Sequence, residues 1–323
     1  MRFHLKRSGS ECFRGNKIMI GTFVTASEQD SMLSKVEQGE GFIAALDQSG
    51  GSTPGALAAY GVAADSWSGE DQMYALIHAM RVRIITSPVF SGDKVIAAIL
   101  FERTMDGEAD GRPVPAYLWS RGVVPFLKVD QGLEAAADGV QLMKAMPGLD
   151  ALLERARGKG IFGTKMRSVI AEANSAGIAA IVAQQVAVSQ QISAHRLMPI
   201  LEPEVSIKCS DRAMAETLLQ GELLKALGAL PDGQRVMLKL TIPCQANLYA
   251  SLVDHPNVAR VVALSGGFSR DEACDHLAAN RGLIASFSRA LLADLRAGMS
   301  AAEFDDALGR AIDQIYRAST NKS

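Results

Sequence analysis

The chain has 323 residues, with 33 lysines and arginines against 35 aspartates and glutamates and a net charge of −2. Hydrophobic residues make up 48% and charged ones 21%, which suits a soluble globular protein with a large core. There is no basic field for nucleic acid or an acidic membrane, and the longest apolar runs, such as the one from Val95 to Phe101, are too short to cross a bilayer.

Residues 1–18 carry Arg2, Lys6, Arg7, Arg14 and Lys17 but lack the roughly 7–15 apolar residues of a signal peptide. They are expected to be a disordered extension, with Met19 a candidate start and residues 19–323 a single domain. The scarcity of acids would also suit a transit peptide, which is the less economical reading.

From residue 41 onward, short apolar runs alternate with longer amphipathic stretches. A strand is expected over 41–46, a helix over 67–83, strands over 94–101 and 123–129, and a helix over 132–146. A strand over 160–165 precedes helices over 168–175 and 178–195, and a strand over 197–202 precedes a helix over 211–227 with Ser210 as its N-cap. Strands follow over 235–240 and 258–264. A helix over 269–278 opens on Ser269 with Glu272 three residues on, a capping box. The last strand is 282–286 and the closing helix 301–317. Most strand candidates are unbroken Val/Ile/Leu/Ala/Phe runs, the pattern of parallel strands buried on both faces.

Eight strands with helical crossovers leave two α/β architectures, an open doubly wound sheet or a closed barrel. No Gly-x-Gly-x-x-Gly follows the first strand, and no low-complexity linker divides the chain. The expectation is a single-domain (β/α)8 TIM barrel, whose chemistry sits at the C-terminal ends of its strands.

The residues at those ends are Asp47, Glu102, Lys128, Lys165, Glu202, Lys239, the turn Ser265-Gly266-Gly267, and Arg289. Lys128, Lys165, Glu202 and Lys239 recur at intervals of 37 residues, about one β/α unit each. Three lysines and an arginine would thus converge with several carboxylates on one mouth. Burial and neighbouring positive charge disfavour a protonated lysine, and the free amine is the form that attacks carbonyls. Lys239, within Val236-Met237-Leu238-Lys239-Leu240, has the most apolar setting of the three and is the preferred nucleophile, with Lys165 the rival. Lys128 is a candidate ion-pair partner of Asp130. Glu202 and Glu204 flank Pro203, which is expected to interrupt the pleat. Asp47 is either a cap of the following turn or a general base. Ser265-Gly266-Gly267 before a capped helix suits a phosphate, since glycines admit the anion and helix-start N–H groups point at it. Arg289 would add a positive fork.

Four cysteines, Cys12, Cys209, Cys244 and Cys274, are scattered without a CxxC, as in a reduced cytosolic protein. His78, His195, His255 and His276 fall in expected helices or connections, so no metal site is expected.

The succession of Ala45-Leu46-Asp47-Gln48-Ser49, Leu127-Lys128-Val129-Asp130-Gln131-Gly132, Lys165-Met166-Arg167, Leu201-Glu202-Pro203-Glu204, Leu238-Lys239, Leu264-Ser265-Gly266-Gly267 and Ser288-Arg289-Ala290-Leu291 resembles the class I (Schiff-base) fructose-bisphosphate aldolases, over roughly residues 41–291. The resemblance implies Lys239 as the Schiff-base lysine, Glu202 as its acid/base, and Asp47 as acceptor of the C4 hydroxyl proton. It implies that Lys165 stabilises charge beside Asp47 and Glu202, and that Glu204 positions Lys239. Ser265, Gly266 and Arg289 would hold one phosphate, with Ser49, Ser52 and Lys128 nearer the other; Gly267 and Arg167 join the substrate-binding set. It further implies sugar-phosphate substrates, a glycolytic and gluconeogenic role in the cytoplasm, no cofactor, and a homo-oligomer.

Three departures stand out. Animal members carry Glu-Ser-Thr-Gly-Ser where this chain has Gln48-Ser49-Gly50-Gly51-Ser52, and commonly a glycine where it has Ser288. Longer members end in a tyrosine that exchanges protons with the enamine, whereas here the sequence ends on Asn321-Lys322-Ser323 and Tyr316 falls in the last helix. Rivals are another Schiff-base lyase for a different sugar phosphate, a metal-dependent aldolase, and a barrel that has become a scaffold.

Overall fold

The computed structural model describes residues 25–323; the extension expected over residues 1–18 lies outside them. Eight parallel strands close into a barrel: β1 Phe42–Leu46, β2 Val95–Leu100, β3 Val124–Lys128, β4 Gly163–Ile170, β5 Met198–Val205, β6 Val236–Thr241, β7 Val258–Leu264 and β8 Ile284–Phe287. Each strand pairs with its neighbours in sequence, and β1 with β8 completes the circle. All eight expected strands are present, and the single-domain (β/α)8 barrel is the observed fold. No helix of the described residues is long and apolar enough to cross a membrane.

Alternation along each strand sorts the side chains. On one parity Ile43, Val124, Phe126, Ile200, Met237, Val262 and Ile284 form one apolar cluster within the barrel. The helix Ala26–Gln38 adds Met32 and Val36 to that cluster and so covers the N-terminal end. Two residues further along the same parity, the apolar layer gives way to Asp47 after Ala45, Lys128 after Phe126, Glu202 after Ile200 and Lys239 after Met237. The opposite parity, with Phe42, Leu46, Leu127, Leu201, Leu238 and Phe287, packs under the outer helices. A closed apolar floor therefore carries a charged upper layer facing the C-terminal mouth.

Some expected elements differ. Residues 132–146 are not a helix. Asp138 and Gly139, at φ 51° and 70°, make a tight left-handed turn, and bridges Leu133–Met143 and Ala137–Val140 zip an irregular hairpin around it. Val140–Gln141 then adds antiparallel to the end of β4. The helix expected over 168–175 is absent because β4 runs on to Ile170, paired with β5 through Ser168–Pro203, Val169–Glu204 and Ile170–Val205. Pro203 thus lies within β5 and does not interrupt it, at a level where pairing to β6 has already ended at Leu201–Leu238. The helices Ala26–Gln38, Thr53–Ala59, Val114–Ser120 and Leu149–Gly158 were not anticipated. The closing helix Ala301–Thr320 packs Phe304, Leu308, Ile312 and Ile315 inward. Its Tyr316 hydroxyl is 3.4 Å from Glu40, just before β1 and so at the end of the barrel away from the mouth.

Candidate active site

A cavity of about 1000 Å³ opens at the C-terminal mouth, and every residue singled out as catalytic or substrate-binding lines it except Gly267. Its centre is a chain of alternating charges. Lys165 Nζ lies 2.7 Å from Asp47 Oδ2 and 2.9 Å from Glu202 Oε2. Glu202 reaches Lys239 with its other oxygen, Oε1 to Nζ at 3.0 Å. Lys128 is paired with Asp130 at 2.7 Å, and Asp130 Oδ2 is 3.9 Å from Lys165. Asp47, Lys165, Glu202 and Lys239 are all buried, so each charge depends on the next for compensation. Glu204 is paired with Arg167 Nε at 2.5 Å, and the carboxylate beside Lys239 is Glu202.

The shifts follow from that chain. Burial alone would raise the Asp47 carboxyl, but Lys165, Lys239 and Lys128 outweigh it and hold it well below the usual carboxylate range. Glu202, buried likewise, is lowered by Lys165 and Lys239. Burial works against the Lys165 ammonium, yet Asp47, Glu202 and Asp130 hold it well above the usual lysine range. A firmly protonated Lys165 is a poor nucleophile. The Lys239 amine shares Glu202 instead of sitting among three acids. The two carboxylates are ionised at neutral pH, which makes them proton acceptors.

The loops above the strands supply polar groups of a different kind. Ser265, at the end of β7, is buried and lines the cavity. Gly266 has φ 62°, and a Cβ there would meet Ile207 Cγ2 at 2.5 Å, so only glycine fits. Gly267 stands outside the cavity, and its N–H donates to Ser265 O at 2.7 Å. At the start of the helix Arg270–Ala278, Glu272 accepts the Ser269 N–H at 3.0 Å and Ser269 Oγ accepts that of Glu272, so a capping box takes two of its N–H groups. At this end Ser265, Gly266 and Arg289 line the cavity. On the opposite loop Ser52 Oγ donates to Ser49 O at 2.9 Å, spending its proton locally. Glu102 lines the cavity rim but is ion-paired with Arg155.

Three residues that complete this site were not among the candidates. Asp130 is a third buried acid against Lys165, and its place two residues after Lys128 was the available signal. Arg81, wholly buried on the helix Glu70–Thr86, donates to the Gln48 backbone oxygen. Its signal was a charge set among Ile77, Met80 and Ile84, on the apolar face of that helix. Gln48 itself donates to Ser288, a link between loops that no local pattern reveals.

A family model described as glycolytic, fructose-bisphosphate aldolase class-I, matches residues 32–242. The chain is 57% identical over 297 residues to the protein named fructose-bisphosphate aldolase class 1 of Synechocystis sp., covering 92% of this chain and 99% of that one. Among solved structures it is similar to fructose-bisphosphate aldolase from Plasmodium falciparum, in a complex with TRAP and a small-molecule inhibitor, with a TM-score of 0.72 at 21% identity over 93% of this chain and 98% of that one. It is also similar to Cgl0159 from Corynebacterium glutamicum, with a TM-score of 0.55 at 16% identity over 91% and 93% of the two chains. At such identities the structural likeness speaks for the fold alone.

Proposed function

Since this chain belongs to the class-I fructose-bisphosphate aldolases, which cleave fructose 1,6-bisphosphate reversibly to dihydroxyacetone phosphate and glyceraldehyde 3-phosphate through a lysine Schiff base, we propose that Lys239 is the lysine that forms it. The observation that carries this is the charge chain Asp47–Lys165–Glu202–Lys239, in which one amine is held by three acids and the other shares a single one.

Glu202, ion-paired with Lys239 Nζ at 3.0 Å, takes one ammonium proton, and the freed amine adds to the C2 ketone. A second proton passes from the nitrogen to the new C2 alkoxide; Glu202, now a neutral acid, gives the first proton to the resulting hydroxyl, which leaves as water as the nitrogen lone pair forms the iminium. Asp47 accepts the C4 hydroxyl proton. The O–H electrons become the aldehyde π bond, and the C3–C4 pair flows into the iminium to form the enamine. Glyceraldehyde 3-phosphate departs, and protonation of C3 followed by hydrolysis releases dihydroxyacetone phosphate. Lys165 touches both acids and holds their charge throughout. Arg289, Ser265 and Gly266 bind one phosphate, and Ser49, Ser52 and Lys128 the other. Arg167 fixes Glu204 at the wall. Anchoring both ends of a flexible open-chain sugar supplies the orientation that cleavage needs.

Residues 19–323 act as one catalytic unit in this reading, working as a homo-oligomer in the cytoplasm. Among the described residues the thiols of Cys209, Cys244 and Cys274 form no disulfide, which supports a reducing compartment, and light scattering on the purified protein reports the assembly.

Asp47→Asn tests the division of labour. It keeps the side-chain shape while removing the base, so kcat is expected to fall by about 10²–10⁴-fold, the usual contribution of a positioned base, with imine formation on Lys239 retained. Cleavage within a few-fold of wild type would remove Asp47 from its role.

A further inference from the structure

The helix Glu70–Thr86 sends one cation into the core. Arg81 has no exposed surface; its Nη1 donates to Thr104 Oγ1 at 2.8 Å, and its Nη2 donates to the Gln48 backbone oxygen and lies 3.5 Å from Gln48 Oε1. Among the described residues no carboxylate forms an ion pair with it. Arginine can only donate, so the Gln48 amide must turn its oxygen towards Arg81. That leaves Nε2 to donate across the seam between β1 and β8, to Ser288 Oγ at 2.6 Å.

Both ends of this bond adjoin the site. Gln48 follows Asp47, and Ser288 precedes Arg289 and is the N-cap of the short helix Arg289–Leu292. The Ser288 carbonyl accepts from Leu291 and Leu292, so fixing Ser288 fixes the turn that launches Arg289. The guanidinium of Arg289 makes no ion pair among the described residues, although it lines the cavity.

We propose that Gln48 is a positioning residue for the phosphate end of the site: anchored by Arg81, it holds Ser288 and with it Arg289, and being neutral it leaves the Arg289 guanidinium unclaimed until a phosphate arrives. A glutamate at 48 would instead set a carboxylate beside the turn that carries Arg289 and compete with the substrate for its guanidinium. The proposal rests on Arg289 being a phosphate partner, as inferred above.

The test is steady-state cleavage of fructose 1,6-bisphosphate, with competitive inhibition by inorganic phosphate, on the full chain carrying Gln48→Met, Ser288→Ala, both together, Gln48→Glu, or Arg289→Ala. Gln48→Met and Ser288→Ala are each expected to raise KM and the phosphate Ki by about 3- to 10-fold, the scale of one lost hydrogen bond, with a much smaller change in kcat. Because both remove the same bond, the double variant is expected to be no worse than either single one. Gln48→Glu is expected to raise KM at neutral pH and to lose part of that effect as pH falls into the carboxylate range, when the new side chain is protonated. Ser288→Ala leaves Arg81 and Gln48 untouched, so it decides the matter even where Gln48→Met folds poorly. Unchanged KM and Ki in Ser288→Ala, or full additivity in the double variant, overturns the proposal. If Arg289→Ala leaves both constants unchanged, the assignment of Arg289 to phosphate is what fails; if it raises them while Ser288→Ala does not, the Gln48 proposal fails alone.

Discussion

Replacing Lys239 by methionine is expected to reduce fructose 1,6-bisphosphate cleavage by at least about 10⁴-fold, the scale seen when a covalent nucleophile is removed, while the barrel stays folded. The two halves of that expectation have separate causes. Activity goes because no other amine in the mouth is free to attack: Lys165 is claimed by Asp47 and Glu202, and Lys128 by Asp130. The fold survives because methionine matches lysine in length and suits the apolar surroundings in β6, and because Glu202 keeps Lys165 as a cationic partner at 2.9 Å. Circular dichroism and turnover measured on one preparation check both halves. Turnover near the wild-type rate would show that another group forms the imine.

Lys165→Met should behave differently, losing stability as well as activity. Lys165 is the shared counter-ion of Asp47 and Glu202, and its removal leaves buried carboxylates short of positive charge. Breaking a buried pair in this way costs about 3–5 kcal/mol. The pH dependence gives a second, signed readout. Asp47 and Glu202 are held below the usual carboxylate range. Their contribution is therefore present above their unfolded values of roughly 4 and is lost as pH falls through the folded ones. Lys165 is held above the usual lysine range, so its contribution is present below an unfolded value of about 10.4 and is lost only as pH rises through the folded one. Wild-type stability, followed by urea titration, should thus fall on the acid side below roughly pH 4, and in Lys165→Met that slope should be smaller. A variant as stable as wild type at pH 7 would contradict the charge-chain account.

The strands were legible because burial on both faces leaves no room for polar alternation, so most read as unbroken apolar runs. The charges at their upper ends were legible for the complementary reason: Asp47, Lys128, Glu202 and Lys239 interrupt that apolarity on the inward parity. The region 132–146 misled because Leu133, Ala136, Val140 and Met143 fall at three- and four-residue steps, which a helix and an irregular hairpin can share. The Asp138-Gly139 pair carried the contrary signal, since Asp-Gly is a favoured tight-turn dipeptide. Pro203 misled in the opposite sense, because a proline is tolerated where a strand has outrun one of its partners.

What remained hidden was relational. Nothing local indicates that Arg167 takes Glu204 while Glu202 serves both Lys165 and Lys239. Those partnerships depend on strand register, with Arg167 opposite Glu202 and Leu201 opposite Leu238, and register is set by the whole closed barrel. The bond from Gln48 to Ser288 spans 240 positions of sequence and exists only because β1 and β8 meet to close the circle.

The central claim is that Lys239 captures the ketose. Borohydride reduction of the enzyme in the presence of dihydroxyacetone phosphate, followed by peptide mapping by mass spectrometry, tests it most directly. The account predicts one reduced adduct, on the peptide carrying Lys239, and none in Lys239→Met. An adduct on Lys165 or Lys128, or no adduct at all, would contradict it.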